Sequence, residues 1–292
     1  MLKRKNAILF LSVVISGLVF FININSYGEF YQDLPLANNG YTNNSYGEFY
    51  QDLPLANNGY TNNSYGEFYQ DLPLANNGYT NFTSKNDNTS ELFKIASSLY
   101  KQGKYKDSIQ YYDEILKVDA NNTDAIYSKG FVYDTLGEYD KAIKSYKKIE
   151  DVYSDKNFIK FKIASSYSKS WKLKESIKYL NKILETQPEN IGAMHFKGIN
   201  VDKMGEHKKA IKYYDKILET QPENIGAIFS KGVSMDKMGE HKKAIKYYDK
   251  ILETQPENID VLKAKAIALM NIGEYESSMK YYKQIQKILG KQ

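Results

Sequence analysis

A period of 34 residues dominates the second part of this sequence. The string KMGEHKKAIKYYDKILETQPEN starts at residue 203 and again, unchanged, at residue 237, and its last nine letters also occur from residue 182. Extending the period in both directions gives six units, which span 89–122, 123–156, 157–190, 191–224, 225–258 and 259–292. Self-similarity at this period is typical of arrays in which each unit buries its apolar faces against its neighbours.

Each unit carries small residues where two antiparallel helices would touch. The eighth residues of the six units are Ala96, Gly130, Ala164, Gly198, Gly232 and Ala266. The twentieth residues are Ser108, Ala142, Ser176, Ala210, Ala244 and Ser278. We therefore expect each Gly to face an Ala and each Ala to face a Ser, which lets helix axes approach closely. Apolar residues at spacings of three and four, such as Ile245, Tyr248, Ile251 and Leu252, indicate helices rather than strands.

The ends of the helices are also marked. Glycines at a constant place predict a left-handed residue that closes the first helix of a unit; they are Gly103, Gly137, Gly205, Gly239 and Gly273. Prolines stop the second helix at Pro188, Pro222 and Pro256. The side chains of Asn190, Asn224 and Asn258 can then cap the next helix.

These features together resemble the tetratricopeptide repeat: small residues at positions eight and twenty, an aromatic near twenty-four, Pro at thirty-two and a 34-residue period. The resemblance covers 204 of the 292 residues. It implies an all-α, right-handed superhelical solenoid of six helix-turn-helix units. The third unit departs most, because Trp171 replaces the turn glycine and Leu180 replaces the aromatic.

The resemblance also implies a peptide-binding groove lined by the first helix of each unit, chiefly at positions two, five, nine, twelve and thirteen. The apolar residues at those places are Phe93, Tyr100, Tyr127, Phe131, Phe161, His195, Ile199, Phe229 and Val233. The charged ones are Asp134, Asp202, Asp236, Lys203 and Lys237. Aromatic side chains on a helix face that is otherwise solvated favour a binding role, although neighbouring units could instead shield some of them.

One known ligand type of this family is disfavoured. The chaperone-binding subset holds a terminal carboxylate with Lys at position five and Asn at nine, whereas this chain has Tyr127 and Phe131 there in its second unit. An internal, extended and partly apolar segment is the better ligand prediction.

The sequence contains few residues that are suited to catalysis. The chain has no cysteine and three histidines, His195, His207 and His241, and no phosphate-binding glycine loop or nucleophile motif is present. His207 and His241 occupy one repeat position, which tyrosines fill in other units, so packing at a helix start is their expected role. We therefore predict a non-enzymatic protein with no cofactor and no metal.

The first 26 residues are interpreted as an export element. Lys3, Arg4 and Lys5 precede an apolar run over residues 7–22, and no further basic residue occurs before Lys85. This pattern predicts export to the cell surface or the extracellular space, with the segment either cleaved or kept as an anchor over residues 7–24.

Residues 27–83 are three tandem copies of a 19-residue unit, YGEFYQDLPLANNGYTNNS, with NFT ending the third copy. The copies contain six acidic residues and no Lys or Arg. Gly, Pro and Asn-Gly interrupt every periodic run, which predicts a disordered spacer, followed by a linker over 84–88. The Phe-Tyr-Gln-Asp-Leu-Pro-Leu stretch could alternatively be a multivalent motif, or the copies could self-associate. Glycosylation triplets occur at Asn43, Asn62, Asn81, Asn88 and Asn121.

The sequence favours an extracytoplasmic scaffold that binds a protein or peptide partner. The alternative is an adhesive surface protein in which the 19-residue copies are the working element, and deletion of residues 27–83 would separate the two. Nucleic acid is disfavoured, because the 37 basic and 29 acidic residues of 85–292 are mixed along each helix. Gln286 interrupts the apolar stripe of the last helix, so we predict a mainly monomeric solenoid.

Overall fold

The computed structural model describes residues 10–15, 18–23 and 87–290. The chain divides into two compact parts, Met1–Phe49 and Tyr50–Gln292, which are described separately. The spacer predicted for 27–83 lies outside the described residues, as do Lys3, Arg4 and Lys5. Of the linker predicted for 84–88, residues 87 and 88 are described, and they belong to the first helix.

The first part contains two antiparallel strands, β1 (Phe10–Ile15) and β2 (Leu18–Asn23). Their register pairs Phe10 with Asn23 and Ile15 with Leu18. This stretch is rich in Val, Ile and Phe, which favour extended backbone. The strands differ from the single spanning helix that the sequence left open for the apolar run, and no helix in the described ranges has the length and hydropathy to cross a bilayer.

Residues 87–290 consist of twelve helices and contain no strand, which confirms the predicted all-α fold. The twelve helices are α1 (Asp87–Lys101), α2 (Tyr105–Val118), α3 (Thr123–Thr135), α4 (Tyr139–Ile149), α5 (Lys156–Lys169), α6 (Leu173–Thr186), α7 (Ile191–Lys203), α8 (His207–Thr220), α9 (Ile225–Lys237), α10 (His241–Thr254), α11 (Ile259–Asn271) and α12 (Tyr275–Leu289). Each helix packs on the next along the chain, so the six predicted units are six helix pairs.

The predicted helix ends are confirmed. All five turn glycines have positive φ, between 74° and 82°. Trp171, which stands at the corresponding place in the third unit, has φ 59° and is the one non-glycine residue with positive φ in the described chain. The Asn190 side chain accepts a hydrogen bond from the Ala193 amide, as Asn224 and Asn258 do from the third residue after them, so each satisfies an amide that the helix leaves unpaired.

In the three units that pair Ala with Ser, a hydrogen bond joins the two helices in addition to their close packing. Ser108 Oγ donates to the Ala96 carbonyl at 2.8 Å. Ser176 donates in the same way to Ala164 at 2.7 Å. Because these hydroxyls are buried, the bonds satisfy groups that would otherwise be costly to dehydrate.

The glycines of the other units have a different neighbour from the one predicted. A Cβ placed on Gly198 would lie 2.6 Å from Cε1 of Tyr214, and one on Gly232 would lie 2.8 Å from Cε1 of Tyr248. It is therefore the tyrosine at position twenty-four, more than the alanine at twenty, that requires glycine at position eight. Both tyrosines are fully buried, so the ring has little room to move away.

Candidate functional site

The first helices of successive units lie side by side and form one continuous face, which we call the first-helix face. Its helices are α1, α3, α5, α7, α9 and α11. Side chains link them from one unit to the next: Tyr100 approaches Phe131, Ser168 binds Asn200, and Lys237 binds Asp202. These links bring the residues of the predicted groove to one side of the solenoid.

Most of the predicted apolar groove residues are buried within the solenoid. Those with at most 5 % of their surface exposed are Phe93, Tyr127, Phe161, His195, Ile199, Phe229 and Val233. Tyr100 and Phe131 are partly exposed. The direct contact surface that the structure offers to a ligand is therefore smaller than the set chosen from repeat positions. Residues at position five pack inwards, against a ring of their own second helix or of the next repeat.

The partly exposed aromatic residues of the predicted groove, Tyr100 and Phe131, lie in the first two units. The ring centroids of Tyr100 and Phe131 are 5.6 Å apart, and the Phe131 ring lies 6.5 Å from that of Tyr127. Behind them, Phe158 and Tyr153 pack against Tyr127 at 5.4 and 5.8 Å. Ring pairs at these distances fix one another's orientation, so the buried Tyr127 and the partly buried Phe158 and Tyr153 support the outer rings.

A lysine completes this surface. The Lys162 ammonium lies 5.5 Å from the Phe131 ring centre and 5.1 Å from that of Phe158. Burial lowers the pKa of Lys162 to about 8, against the opposing attraction of Asp134. A partly dehydrated cation between two rings favours a ligand that brings negative charge together with apolar surface.

The three aspartates of the predicted groove are bonded within the solenoid. Asp202 is buried, and its carboxylate accepts hydrogen bonds from Lys237 Nζ at 2.7 Å, Ser234 Oγ at 2.5 Å and His207 Nδ1 at 2.8 Å. Burial alone would raise the pKa of Asp202, but the Lys237 ammonium and these donors outweigh it and hold that pKa below its usual value. A carboxylate so fully engaged acts as a link between units.

The same arrangement recurs in other units. Asp134 pairs with Lys169 and accepts from Ser166 Oγ at 2.7 Å, and Asp236 pairs with His241. His207 and His241 each bond an aspartate at the end of the preceding helix, which confirms their predicted place at a helix start. Lys203 is partly buried on the same face, and its ammonium lies 5.6 Å from the centre of the Trp171 ring.

His195 is buried and bonded within the solenoid. Its Nε2 lies 3.2 Å from the Gly226 carbonyl oxygen and 2.8 Å from Ser230 Oγ, so the proton on Nε2 is directed at the next unit. Burial lowers the pKa of His195 to about 4, although the hydrogen bond to the Gly226 carbonyl acts in the opposite direction. The ring is therefore neutral near pH 7. No group of three potential ligands that could hold a metal ion occurs in the described ranges.

Sequence reasoning missed Lys162, Phe158 and Asn200. Lys162 stands at position six, which the repeat pattern does not assign to the groove, and it reaches the face only because two rings flank it. Phe158 is at position two, one of the positions expected to line the groove, so the repeat pattern could have identified it. Asn200 is fully buried and bridges Ser168 and Ser176, a role that only the packing reveals.

Comparison with known families supports the repeat assignment. Three family models, each described as tetratricopeptide repeat, match residues 93–155, 193–224 and 227–258. These three stretches of the chain match the tetratricopeptide repeat. Tetratricopeptide repeat protein 14 of Mus musculus is 28 % identical over 89 residues, which is 30 % of this chain and 12 % of the mouse protein. The match thus spans only about an eighth of that relative.

Solved structures show the same fold. A tetratricopeptide repeat protein from Parabacteroides merdae ATCC 43184 matches with a TM-score of 0.60 at 15 % identity, over 69 % of this chain and 80 % of that chain. The crystal structure of MamA protein matches with a TM-score of 0.49 at 27 % identity, over 58 % and 92 % of the two chains. Residues 87–290 therefore have the fold of a tetratricopeptide-repeat solenoid with six helix pairs.

Proposed function

We propose that the solenoid binds an extended segment of a partner protein along the first-helix face, with no chemistry of its own. The observation that carries this proposal is the pair Tyr100 and Phe131, which come from adjacent repeats, lie 5.6 Å apart and remain partly exposed. Exposed rings fixed by neighbours provide apolar contact area at little cost in side-chain entropy. Lys162 beside Phe131 adds a positive charge.

Replacement of Phe131 tests this proposal. Random peptides displayed on phage are selected on the full chain, and the affinities of the selected peptides are then measured for the Phe131→Ala variant. We expect a loss of about 1 to 3 kcal/mol in binding free energy, because an anchoring ring is removed.

Tyr275→Ala is the matched control. Tyr275 is an aromatic residue with 61 % of its surface exposed on the second helix of the last repeat, outside the first-helix face. Its replacement should leave affinity unchanged. A selection that yields no peptide, or peptides that bind the Phe131→Ala variant as tightly as the wild type, contradicts the proposed function.

We also propose that this binding takes place outside the cytoplasm. Support comes from Lys3, Arg4 and Lys5 ahead of the apolar run over residues 7–22. An enzyme reporter that is active only after export is fused behind Gln292, and we expect activity. Export should fail when the three basic residues are replaced by acidic ones, whereas a reporter that stays in the cytosol with the native sequence rules the location out.

A further inference from the structure

Cross-repeat ion pairs on the first-helix face join position thirteen of one repeat to position twelve of the repeat before it, and one lysine at position thirteen lacks this partner. Lys169 pairs with the aspartate at position twelve of the preceding repeat, Asp134, and Lys237 pairs with Asp202 in the same way. Lys203 occupies the equivalent position in the fourth repeat, but the residue at position twelve before it is Ser168, whose hydroxyl bonds Asn200 instead. Within residues 87–290, Lys203 has no carboxylate within ion-pair distance, although its neighbours on the face do.

The environment of this lysine disfavours an unpaired charge. Burial lowers the pKa of Lys203, and the nearby Lys237 ammonium lowers it further. Asp202 is in the same helix, but its oxygens are taken by Lys237, Ser234 and His207. An incoming carboxylate would therefore find a cation that is already partly dehydrated and has no competing acid.

Trp171 supplies an apolar surface at the same point. Its side chain is 56 % exposed, and the Lys203 ammonium lies 5.6 Å from the centre of its ring. Trp171 also has φ 59°, in the left-handed region that a bulky residue adopts at a cost, and the five equivalent turns have glycine. An exposed tryptophan does not stabilise the core, and its left-handed backbone conformation costs free energy. Together these features indicate a role at the surface.

We propose that Trp171 and Lys203 form a docking point for a peptide segment in which one acidic side chain stands next to apolar residues. The carboxylate would meet the Lys203 ammonium, and an adjacent apolar side chain would lie on the Trp171 ring. This inference rests on the proposed function, because the peptide would lie along the same first-helix face. The net charge of +8 over 85–292, from 37 basic and 29 acidic residues, favours such an acidic occupant.

The test uses a defined peptide. The probe is the heptapeptide Phe-Tyr-Gln-Asp-Leu-Pro-Leu, with blocked termini and a fluorescent label, which carries one carboxylate beside leucine and proline and no base. The same heptapeptide with Asn in place of Asp is the matched ligand. The protein is the full chain in which Asp33, Asp52 and Asp71 are replaced by Asn, so that the chain itself contains no copy of the probe's acid.

Lys203→Met and Trp171→Gly are compared with Lys174→Met, an exposed lysine on α6 that gives the same change in net charge. We expect the Asp probe to bind about tenfold more tightly than the Asn peptide. This preference should disappear in Lys203→Met and persist in Lys174→Met. Trp171→Gly should weaken both peptides while its thermal unfolding temperature does not fall, since glycine suits the left-handed turn.

The outcomes separate this inference from the proposed function. If both peptides bind and neither Lys203→Met nor Trp171→Gly affects them, the docking point is wrong while binding along the face stands. The change from Asp to Asn in the peptide and Lys203→Met in the protein can be combined. If their effects on the binding free energy are purely additive, the carboxylate does not contact Lys203. If neither peptide binds, the docking point is wrong again, and the separate phage selection decides whether the face binds peptides at all.

Discussion

Phe229→Ala should lower the free energy of unfolding by about 3 to 5 kcal/mol, because it removes a ring from a well-packed interior. The side chain is 5 % exposed, and its ring centre lies 5.9 Å from that of the buried Tyr248. Phe131→Ala removes the same atoms from a partly exposed site and should cost about 1 kcal/mol. Denaturation of the full chain by urea, followed by circular dichroism at 222 nm, measures both changes.

The pair is informative because both phenylalanines belong to the predicted groove. If Phe229 contributes to the interior, its variant should have a reduced denaturation midpoint with little change in slope. If the two variants lose equal stability, the distinction between an interior ring and a surface ring on this face is wrong. Because Phe229→Ala is expected to destabilise the fold, a binding experiment with this variant is informative only if its folded fraction is measured as well.

The fold was largely predictable because its determinants are local and repeated. Gly205 and its equivalents, Pro188 and Asn190 mark helix ends through their own backbone chemistry, and six repetitions of one pattern leave little ambiguity about the period. The pairing of Ser108 with Ala96 followed from residue size alone, and the hydrogen bond between them was an addition from the structure.

The site was less predictable, because exposure depends on what the next repeat places over each position. Position five points towards the first-helix face in a single repeat, yet Phe161 is buried, and its ring centre lies 5.3 Å from that of Phe196 in the next repeat. The acid–lysine pairs cross between repeats, so the missing acid at Ser168 becomes visible only when Lys203 is placed beside Lys237. A one-repeat pattern contains no information on such contacts.

Tyr146, Tyr214 and Tyr248 illustrate a further limit. Sequence reasoning matched the small residues at positions eight and twenty, but the rings at position twenty-four fill the space above Gly130, Gly198 and Gly232. The small residues were predicted as sites of close approach, but the rings nearest to the glycines were not predicted, because ring direction depends on rotamers that the sequence pattern does not specify.

The second large effect concerns acid. We expect the solenoid to lose about 3 kcal/mol of stability between pH 6.5 and pH 4 through His195 alone. Its pKa in the folded chain is about 4, because the ring is buried, and it is near 6.5 when the chain unfolds. The difference in the pKa of His195 between the folded and unfolded states corresponds to this loss of stability, at about 1.4 kcal/mol for each pKa unit.

The direction follows from proton binding. Between pH 6.5 and pH 4 the unfolded chain binds a proton at His195 that the folded chain excludes, so stability falls as pH falls through this range. Well above pH 6.5 the imidazole is neutral in both states, so His195 contributes no pH dependence there. Tyr214, whose ring centre is 5.6 Å away, and the Gly226 carbonyl offer no carboxylate to hold a charged imidazole.

His195→Phe is the matched control, because Phe93, Phe161 and Phe229 occupy the same repeat position. Urea denaturation at a series of pH values between 4 and 8 gives the free energy of unfolding of the wild type and the variant. The difference between the two curves isolates His195, since every other titratable group is the same in both proteins. We expect the wild type to lose stability more steeply below pH 6.5, and parallel curves would show that His195 takes up its proton in the folded chain at an ordinary pH.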